Sequence, residues 1–131
     1  MGDIVKISCP KCSLNKQLNL GQGMFDCNLD RIITYLPEQD ALQVGMLQRE
    51  NRIKSFEFNR YPGICTLCKQ LEESPLLVVE LHSGARLEYG ITCRHCGSEL
   101  RIIREELKPN SIPCPYCGKS KLTVSRMGYW D

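Results

Sequence analysis

Eight of the nine cysteines in this 131-residue chain occur as four Cys-x-x-Cys pairs. Two thiolates separated by two residues can bind one ion while the backbone between them forms a tight knuckle. Two such pairs supply the four ligands of a tetrahedral site of the kind that zinc prefers. The sequence therefore predicts two closed sites for two zinc ions, with the ligands Cys9, Cys12, Cys65, Cys68, Cys93, Cys96, Cys114 and Cys117.

The sequence leaves two pairing schemes open. In the sequential scheme, Cys9/Cys12 joins Cys65/Cys68, and Cys93/Cys96 joins Cys114/Cys117. In the nested scheme, the two inner pairs share one ion and the two outer pairs share the other. The last two pairs are separated by seventeen residues, which is within the spacing typical of a zinc site and closes the shorter loop. This spacing favours the sequential scheme.

A site with four thiolate ligands has no open position for water or substrate, so Lewis-acid catalysis has no place in it. Neither histidine, His82 or His95, is needed as a ligand, and we interpret both as exposed side chains. Adjacent carboxylates such as Glu72 and Glu73 do not converge as an acid/base pair requires. The sequence thus predicts no catalytic residues and no enzyme.

Composition points to a cytoplasmic protein. The longest apolar run, Leu76 to Val79, is too short to span a bilayer, and the N-terminal residues form no apolar signal segment. In a reducing compartment the cysteines are metal ligands rather than disulfides. The formal charge of +2 counts them as neutral, and two four-thiolate zinc sites would change it to about −2.

Hydrophobic patterning predicts strands on either side of the knuckles. It also predicts helices between the knuckle 9–12 and the knuckle 65–68. Apolar residues at Leu29, Ile32, Ile33 and Leu36 have helical spacing behind a possible Asn28 cap. A second helix is expected from about residue 38 to 52, although its interior Gly45 costs about 1 kcal/mol relative to alanine. Two apolar runs flanking Ser83-Gly84 predict a β-hairpin from 76 to 91.

The C-terminal part resembles a zinc ribbon of the rubredoxin-like group. The resemblance rests on Cys93-Arg94-His95-Cys96-Gly97 and Cys114-Pro115-Tyr116-Cys117-Gly118. Gly97 and Gly118 follow the knuckles at positions that usually require a positive φ. Residues 9 to 81 resemble the bacterial CpXC domain of unassigned function, through Cys9-Pro10-Lys11-Cys12, a helical insertion and a second Cys-x-x-Cys pair. These resemblances imply fold and metal only.

Together these features predict a small α+β fold with two zinc-ribbon (rubredoxin-like) β modules. The first module is expected over residues 1–73, with a helical insertion at about 28–53. The second is expected over residues 74–131. The ninth cysteine, Cys27, is interpreted as a buried or half-buried free thiol. The alternatives are a reactive thiol and a metal ligand that replaces one of the eight paired cysteines. Tyr129-Trp130 either tethers the chain end or presents an anchor for a partner.

Balanced charge favours a non-enzymatic adaptor that binds another protein. The alternative is nucleic-acid binding through the basic residues Arg101, Arg104, Lys119, Lys121 and Arg126, with Tyr116 or Trp130 for stacking. A second alternative is a rubredoxin-like electron carrier, which requires iron. Few aromatic residues surround the knuckles, so zinc is the favoured metal.

Overall fold

The computed structural model describes residues 2–105, 107–108 and 110–131, apart from the side chain of Phe25. Two antiparallel sheets make up most of this structure. The strands are β1 (Gly2–Ser8), β2 (Asn15–Leu20), β3 (Ile53–Cys65), β4 (Leu71–Leu81), β5 (Arg86–Gly90), β6 (Leu100–Ile102) and β7 (Thr123–Trp130). The first sheet has the strand order β2-β1-β7, and the second has the order β5-β4-β3-β6.

Two helices lie between β2 and β3, where the insertion was predicted. A short 3-10 turn, Met24–Cys27, leads into α1 (Leu29–Ile33), and α2 follows at Glu38–Arg49. The predicted cap is confirmed, because the Asn28 side chain accepts a hydrogen bond from the Asp30 N–H. Pro37 precedes α2, where a missing N–H costs nothing. The helices are therefore shorter than the sequence pattern predicted.

The sheets do not coincide with the predicted division into residues 1–73 and 74–131. Strand β1 lies between β2 and β7, so the two ends of the chain belong to one sheet. Its register joins Ser8 to Thr123 and Gly2 to Trp130. Strand β4 crosses the predicted boundary itself. The physical reason is that β1 completes its hydrogen bonding with the last strand rather than within its own half.

Two apolar clusters hold the layers together. One lies between the first sheet and the end of the second, and includes Ile7, Leu18, Leu71 and Leu122. The other lies between the helices and the second sheet, and includes Ile32, Val44, Phe58, Leu77 and Val79. The predicted hairpin is confirmed, since Leu81 and Ala85 are hydrogen-bonded around the Ser83-Gly84 turn. The first of these clusters combines residues of both sheets, so the two sheets form a joint structure.

The C-terminal Trp130 tethers the end of β7. Its indole N–H donates a hydrogen bond of 2.9 Å to the Leu20 carbonyl of β2. The ring occupies space left by Gly2 and Gly23, where any added Cβ would collide with it. Tyr129 beside it is exposed. Of the two roles considered for this pair, tethering therefore applies to Trp130.

Candidate metal centres

The eight paired cysteines come together in two groups of four, and within each group all the sulfur atoms lie within 4.8 Å of one another. The terminal cluster consists of Cys9, Cys12, Cys114 and Cys117. The hairpin cluster consists of Cys65, Cys68, Cys93 and Cys96. The structure thus has the nested arrangement, and the sequential scheme favoured by spacing is wrong.

Strand pairing explains the terminal cluster. The knuckle 9–12 directly follows β1, and the knuckle 114–117 precedes β7. Because β1 and β7 are antiparallel with Ser8 opposite Thr123, the end of one and the start of the other meet. A Ser8–Thr123 hydroxyl hydrogen bond of 2.6 Å closes this corner. The first and last knuckles are brought together by the sheet itself.

The hairpin cluster is built in a similar way from the second sheet. Strand β3 ends at Cys65, and its neighbour β6 pairs Leu100 with that residue. The knuckle 93–96 lies between β5 and β6, so the turn into β6 brings it against the end of β3. Thr66 strengthens this junction, since its N–H and its hydroxyl both donate to the Glu99 carbonyl.

The knuckles share a backbone geometry that holds the thiolates. In three of them the N–H two residues after the first cysteine points at its sulfur, at 3.4 Å for Lys11 to Cys9, Leu67 to Cys65 and His95 to Cys93. Such hydrogen bonds favour the ionised thiol. This geometry depends on local sequence, which is why the knuckles could be predicted.

The residue after each of the last three knuckles has a positive φ. Gly97 has φ 75° and Gly118 has φ 65°, as the sequence predicted. Lys69 occupies the equivalent position in the second knuckle with φ 64°, although it is not glycine. Its ammonium donates to the Thr66 carbonyl at 3.1 Å, a contact that helps to hold this turn. In these three knuckles the left-handed conformation is therefore required by the turn and does not depend on glycine.

Sulfur separations test whether a metal fits. Across the two pairs of the terminal cluster they are 3.7 Å for Cys9–Cys117 and 3.6 Å for Cys12–Cys114. In the hairpin cluster they are 3.3 Å for Cys65–Cys96 and 3.6 Å for Cys68–Cys93. A regular tetrahedron with Zn–S bonds of about 2.3 Å has edges of about 3.8 Å. A disulfide would need about 2.05 Å. The residues present fit a tetrahedral ion.

The thiols influence one another's ionisation. In the hairpin cluster, hydrogen bonds from the Ser98 side chain and N–H, with help from Cys65, lower the pKa of Cys96 to about 6. The Gln70 N–H lowers the pKa of Cys68, but burial and its neighbouring thiols outweigh this and raise it to about 12. Four crowded sulfurs cannot all carry a negative charge without a cation among them. A divalent cation would allow complete ionisation.

The terminal cluster shows the same division. Burial opposes ionisation of Cys9, yet the Lys11 N–H and the neighbouring thiols lower its pKa to about 7. For Cys12 the Leu14 N–H favours ionisation, while burial and the other thiols raise its pKa to about 12. Cys9 and Cys114 are buried in the apolar cluster with Ile7 and Leu122. Both sites use all four sulfurs around one centre, which is the closed arrangement typical of structural metal.

The two clusters are neighbours. The Tyr116 hydroxyl, from the last knuckle, donates a hydrogen bond of 2.8 Å to the Gln70 side chain beside the second knuckle. Burial raises the pKa of Tyr116, and negative charge on Cys114, Cys68 and Cys12 raises it further. These cysteines belong to both clusters, so Tyr116 lies between them. No spacing pattern in the chain indicates this contact.

Cys27 belongs to neither cluster. It is exposed rather than buried or half-buried as predicted. Its sulfur lies 3.8 Å from the Gly23 carbonyl, at the end of the 3-10 turn. The interpretation as a small apolar side chain in the interior is therefore wrong, because the turn directs this residue to the surface.

We expect Cys27→Ser to leave the metal content at two ions per chain and to change the free energy of unfolding by less than about 0.5 kcal/mol, as for an ordinary surface substitution. Elemental mass spectrometry and urea unfolding of the variant provide the check. Loss of one metal equivalent would show that Cys27 serves as a ligand in place of one of the eight.

Other candidate residues lie outside the clusters. His82 and His95 are exposed, and the His95 ring lies 3.8 Å from the Glu72 carboxylate. Two of the proposed nucleic-acid contacts are engaged with carboxylates: Arg104 binds Glu88, and Arg126 binds Asp3. Trp130 is occupied by its hydrogen bond to Leu20. These contacts leave fewer side chains available for the predicted nucleic-acid-binding surface.

In comparisons with known proteins, no family model, no curated protein and no solved structure matched this chain. The similarity to zinc ribbons and to the CpXC domain thus stays a resemblance of motifs. Neither α1 nor α2 has the length and apolar character needed to span a bilayer, nor has any other helix in the described part of the chain.

Proposed function

We propose that this chain is a zinc-binding, non-enzymatic interaction module in which two closed four-thiolate sites are structural. The observation that carries the proposal is the spacing of the sulfurs, from 3.3 to 3.7 Å across pairs in both clusters. These distances are close to the edge of a zinc–thiolate tetrahedron and far from a disulfide.

The closed arrangement supports a structural role over a catalytic one. Each site uses four sulfurs, so a bound zinc ion would have no exchangeable position for substrate. Both sites also join strands that are far apart in the chain, which is what a structural site contributes to a small domain. The reduced thiols favour a reducing compartment, and we propose the cytoplasm. The remaining surface is then available to a protein partner.

Zinc is favoured over iron, and a protein partner over nucleic acid. Trp130 lies against Leu20 and Arg60, away from both clusters, which leaves Tyr116 as the aromatic side chain beside them in the described part of the chain. Pairing of Arg104 and Arg126 with carboxylates removes two of five basic residues from a polyanion surface. Nonspecific binding of a nucleic-acid phosphate backbone requires a stripe of basic side chains that are not paired with carboxylates.

We expect two zinc ions per chain in protein purified without added metal, measured by elemental mass spectrometry. Because the clusters are nested, Cys114→Ser should release the ion bound by Cys9 and retain the one bound by Cys65. Co²⁺ substitution followed by absorption spectroscopy would show one four-thiolate site lost and one kept. A stoichiometry near one in the unmodified chain, or dominant iron with visible absorption, would contradict the proposal.

A further inference from the structure

The side of α2 that faces away from the core carries an apolar surface. Val44 and Leu47 are buried against the second sheet. On the opposite side Leu42 is 62% exposed and Met46 is 52% exposed. Residues four apart on a helix are neighbours, so these two side chains form one patch. They account for two of the eight large hydrophobic residues exposed in the described part of the chain.

Gly45 adjoins this patch and has no role within the chain. It lies in the middle of α2, and a Cβ added to it would meet nothing within 4 Å. Its backbone is helical, so neither a positive φ nor a close internal contact requires glycine. Glycine in a helix interior is unfavourable relative to alanine. Because Gly45 has no side chain, it leaves the backbone of α2 open to close approach by another chain.

The two ends of the outward side of α2 carry charges of opposite sign. Glu38 lies in the first turn of α2 and Arg49 in the last. Both are exposed, and neither has an ion-pair or side-chain hydrogen-bond partner among residues 2–105, 107–108 and 110–131. Both charges are therefore available to pair with another chain.

The four residues Glu38, Leu42, Gly45 and Arg49 are spaced symmetrically along α2, as a two-fold axis through the middle of the helix requires. Glu38, Leu42, Gly45 and Arg49 are separated by four, three and four positions, which places them on one stripe of an α-helix. If a second α2 lies antiparallel across a two-fold axis between Gln43 and Val44, Leu42 falls opposite Gly45 of the second copy. Glu38 then falls opposite Arg49 of the second copy.

We propose that α2 is the interface of a symmetric homodimer, in which each Leu42 packs over Gly45 of the other copy and each Glu38 pairs with its Arg49. A two-fold interface must be complementary to itself. This stripe meets that condition in shape, through Leu42 and Gly45, and in charge, through Glu38 and Arg49. The inference extends the proposed function by naming one partner of the interaction module. It does not depend on which metal the clusters bind, since α2 contributes no ligand.

The expected dimer is weak. A single helix pair buries less than about 1,200 Å², which is the range of transient complexes. We therefore expect a dissociation constant on the order of 10 to 100 µM, measured by sedimentation equilibrium on the metal-loaded full chain. Metal content is determined on the same samples, so failure of the zinc proposal is distinguishable from failure of the dimer.

Substitutions at Gly45 test the packing. Gly45→Leu fills the space required by Leu42 of the second copy and should raise the dissociation constant at least about tenfold, a loss of about 1.4 kcal/mol. The site is open within the chain, so this variant should fold, and its circular dichroism should match the unmodified protein. Dimerisation that is unchanged in Gly45→Leu would overturn the proposal.

Charge reversal tests the pairing. Glu38→Arg places like charges together twice in a symmetric dimer and should weaken it about tenfold, whereas adding Arg49→Glu in the same chain should restore the affinity to within about threefold. Glu57→Arg, at an exposed position of β3, is the matched control and should have no effect. A strictly monomeric unmodified chain at about 500 µM, or an Arg49→Glu change that fails to rescue, would contradict the dimer.

Discussion

A strong chelator at neutral pH is expected to unfold the sheet formed by β1, β2 and β7 and to release β6 from β3. In small modules the binding free energy of a structural zinc is largely folding free energy, on the order of 10 kcal/mol per site. The apolar cluster beneath the first sheet includes Cys9 and Cys114 themselves. Repulsion or protonation of these thiols after metal loss would therefore disrupt the core that the sheet depends on.

Part of the structure should survive. The cluster between the helices and the second sheet, which includes Ile32, Phe58 and Leu77, contains no ligand. Amide exchange on the chelated protein is expected to retain some protection in α2, β3 and β4, and to lose it in β1 and β7. Acidification should act like the chelator, because thiolates must be deprotonated to bind metal. Native-like protection of β7 with both ions gone would show that the sites are not structural.

Serine variants distinguish the two sites. Cys12 and Cys114 are 102 residues apart, whereas Cys68 and Cys93 are 25 residues apart. Loop closure therefore costs about 1.2 kcal/mol more for the terminal cluster. Cys12→Ser should free β1 and β7 while the hairpin cluster keeps its ion. Cys68→Ser should loosen β6 and leave the first sheet protected, with Cys27→Ser as the control.

Local features could be predicted from the sequence because a few adjacent residues determine them. The knuckles need two cysteines at fixed spacing, and Gly97 and Gly118 adopt the expected positive φ. The Asn28 cap and the Ser83-Gly84 turn also depend on neighbours in the chain. The composition of the two metal groups, in contrast, is a property of the tertiary structure.

The pairing scheme was predicted wrongly because loop closure is a small term. In the sequential scheme the joined knuckles are 53 and 18 residues apart, measured from Cys12 to Cys65 and from Cys96 to Cys114. Its entropic advantage over the nested scheme is less than about 1 kcal/mol. Burying one leucine contributes about 1.5 to 3 kcal/mol. The pairing of β1 with β7 lies over the apolar cluster that contains Val5 and Leu122, and the burial in this cluster outweighs the entropic advantage.

Arg60 lies in β3, where it pairs with Pro75 of β4. In the structure it joins the two sheets and the helices. Its backbone N–H and carbonyl both bond to Gly21, at 2.7 and 2.8 Å, which links β3 to the end of β2. Its guanidinium lies over the rings of Tyr35, Phe58 and Trp130 at 5.2 to 5.7 Å. No spacing rule reveals a contact of this kind.

The partner of Arg60 is the buried carboxylate of Asp26. Two hydrogen bonds, from Nε at 3.1 Å and from an Nη at 3.3 Å, form a bidentate pair. Asp26 is only 1% exposed and also accepts the Gly23 N–H. Burial by itself lowers the pKa of Arg60, but Asp26 and Glu73 outweigh it and raise that pKa. The guanidinium therefore stays charged and compensates a carboxylate that water cannot reach.

We expect Arg60→Met to reduce the free energy of unfolding by about 3 to 5 kcal/mol, because it leaves Asp26 buried and uncompensated. Since domains are stable by only about 5 to 15 kcal/mol, this loss should be visible as a large fall in the urea midpoint. The measurement is made on metal-saturated protein. Arg104→Met is the matched control, because the Arg104–Glu88 pair is exposed and should contribute less than about 1 kcal/mol.

A double variant separates the charge from the packing. In Arg60→Met/Asp26→Leu both charges are replaced by apolar groups, and such replacements of buried pairs are often neutral or stabilising. We therefore expect the double variant to recover most of the stability lost in Arg60→Met, although Gly23 loses its acceptor. If the Arg60→Met loss matches that of Arg104→Met, the buried pair does not stabilise this junction. The single variant Asp26→Leu completes the comparison. If the stability lost in the double variant equals the sum of the losses in Arg60→Met and Asp26→Leu, the cation–ring contacts of Arg60, rather than its charge pairing, join the sheets.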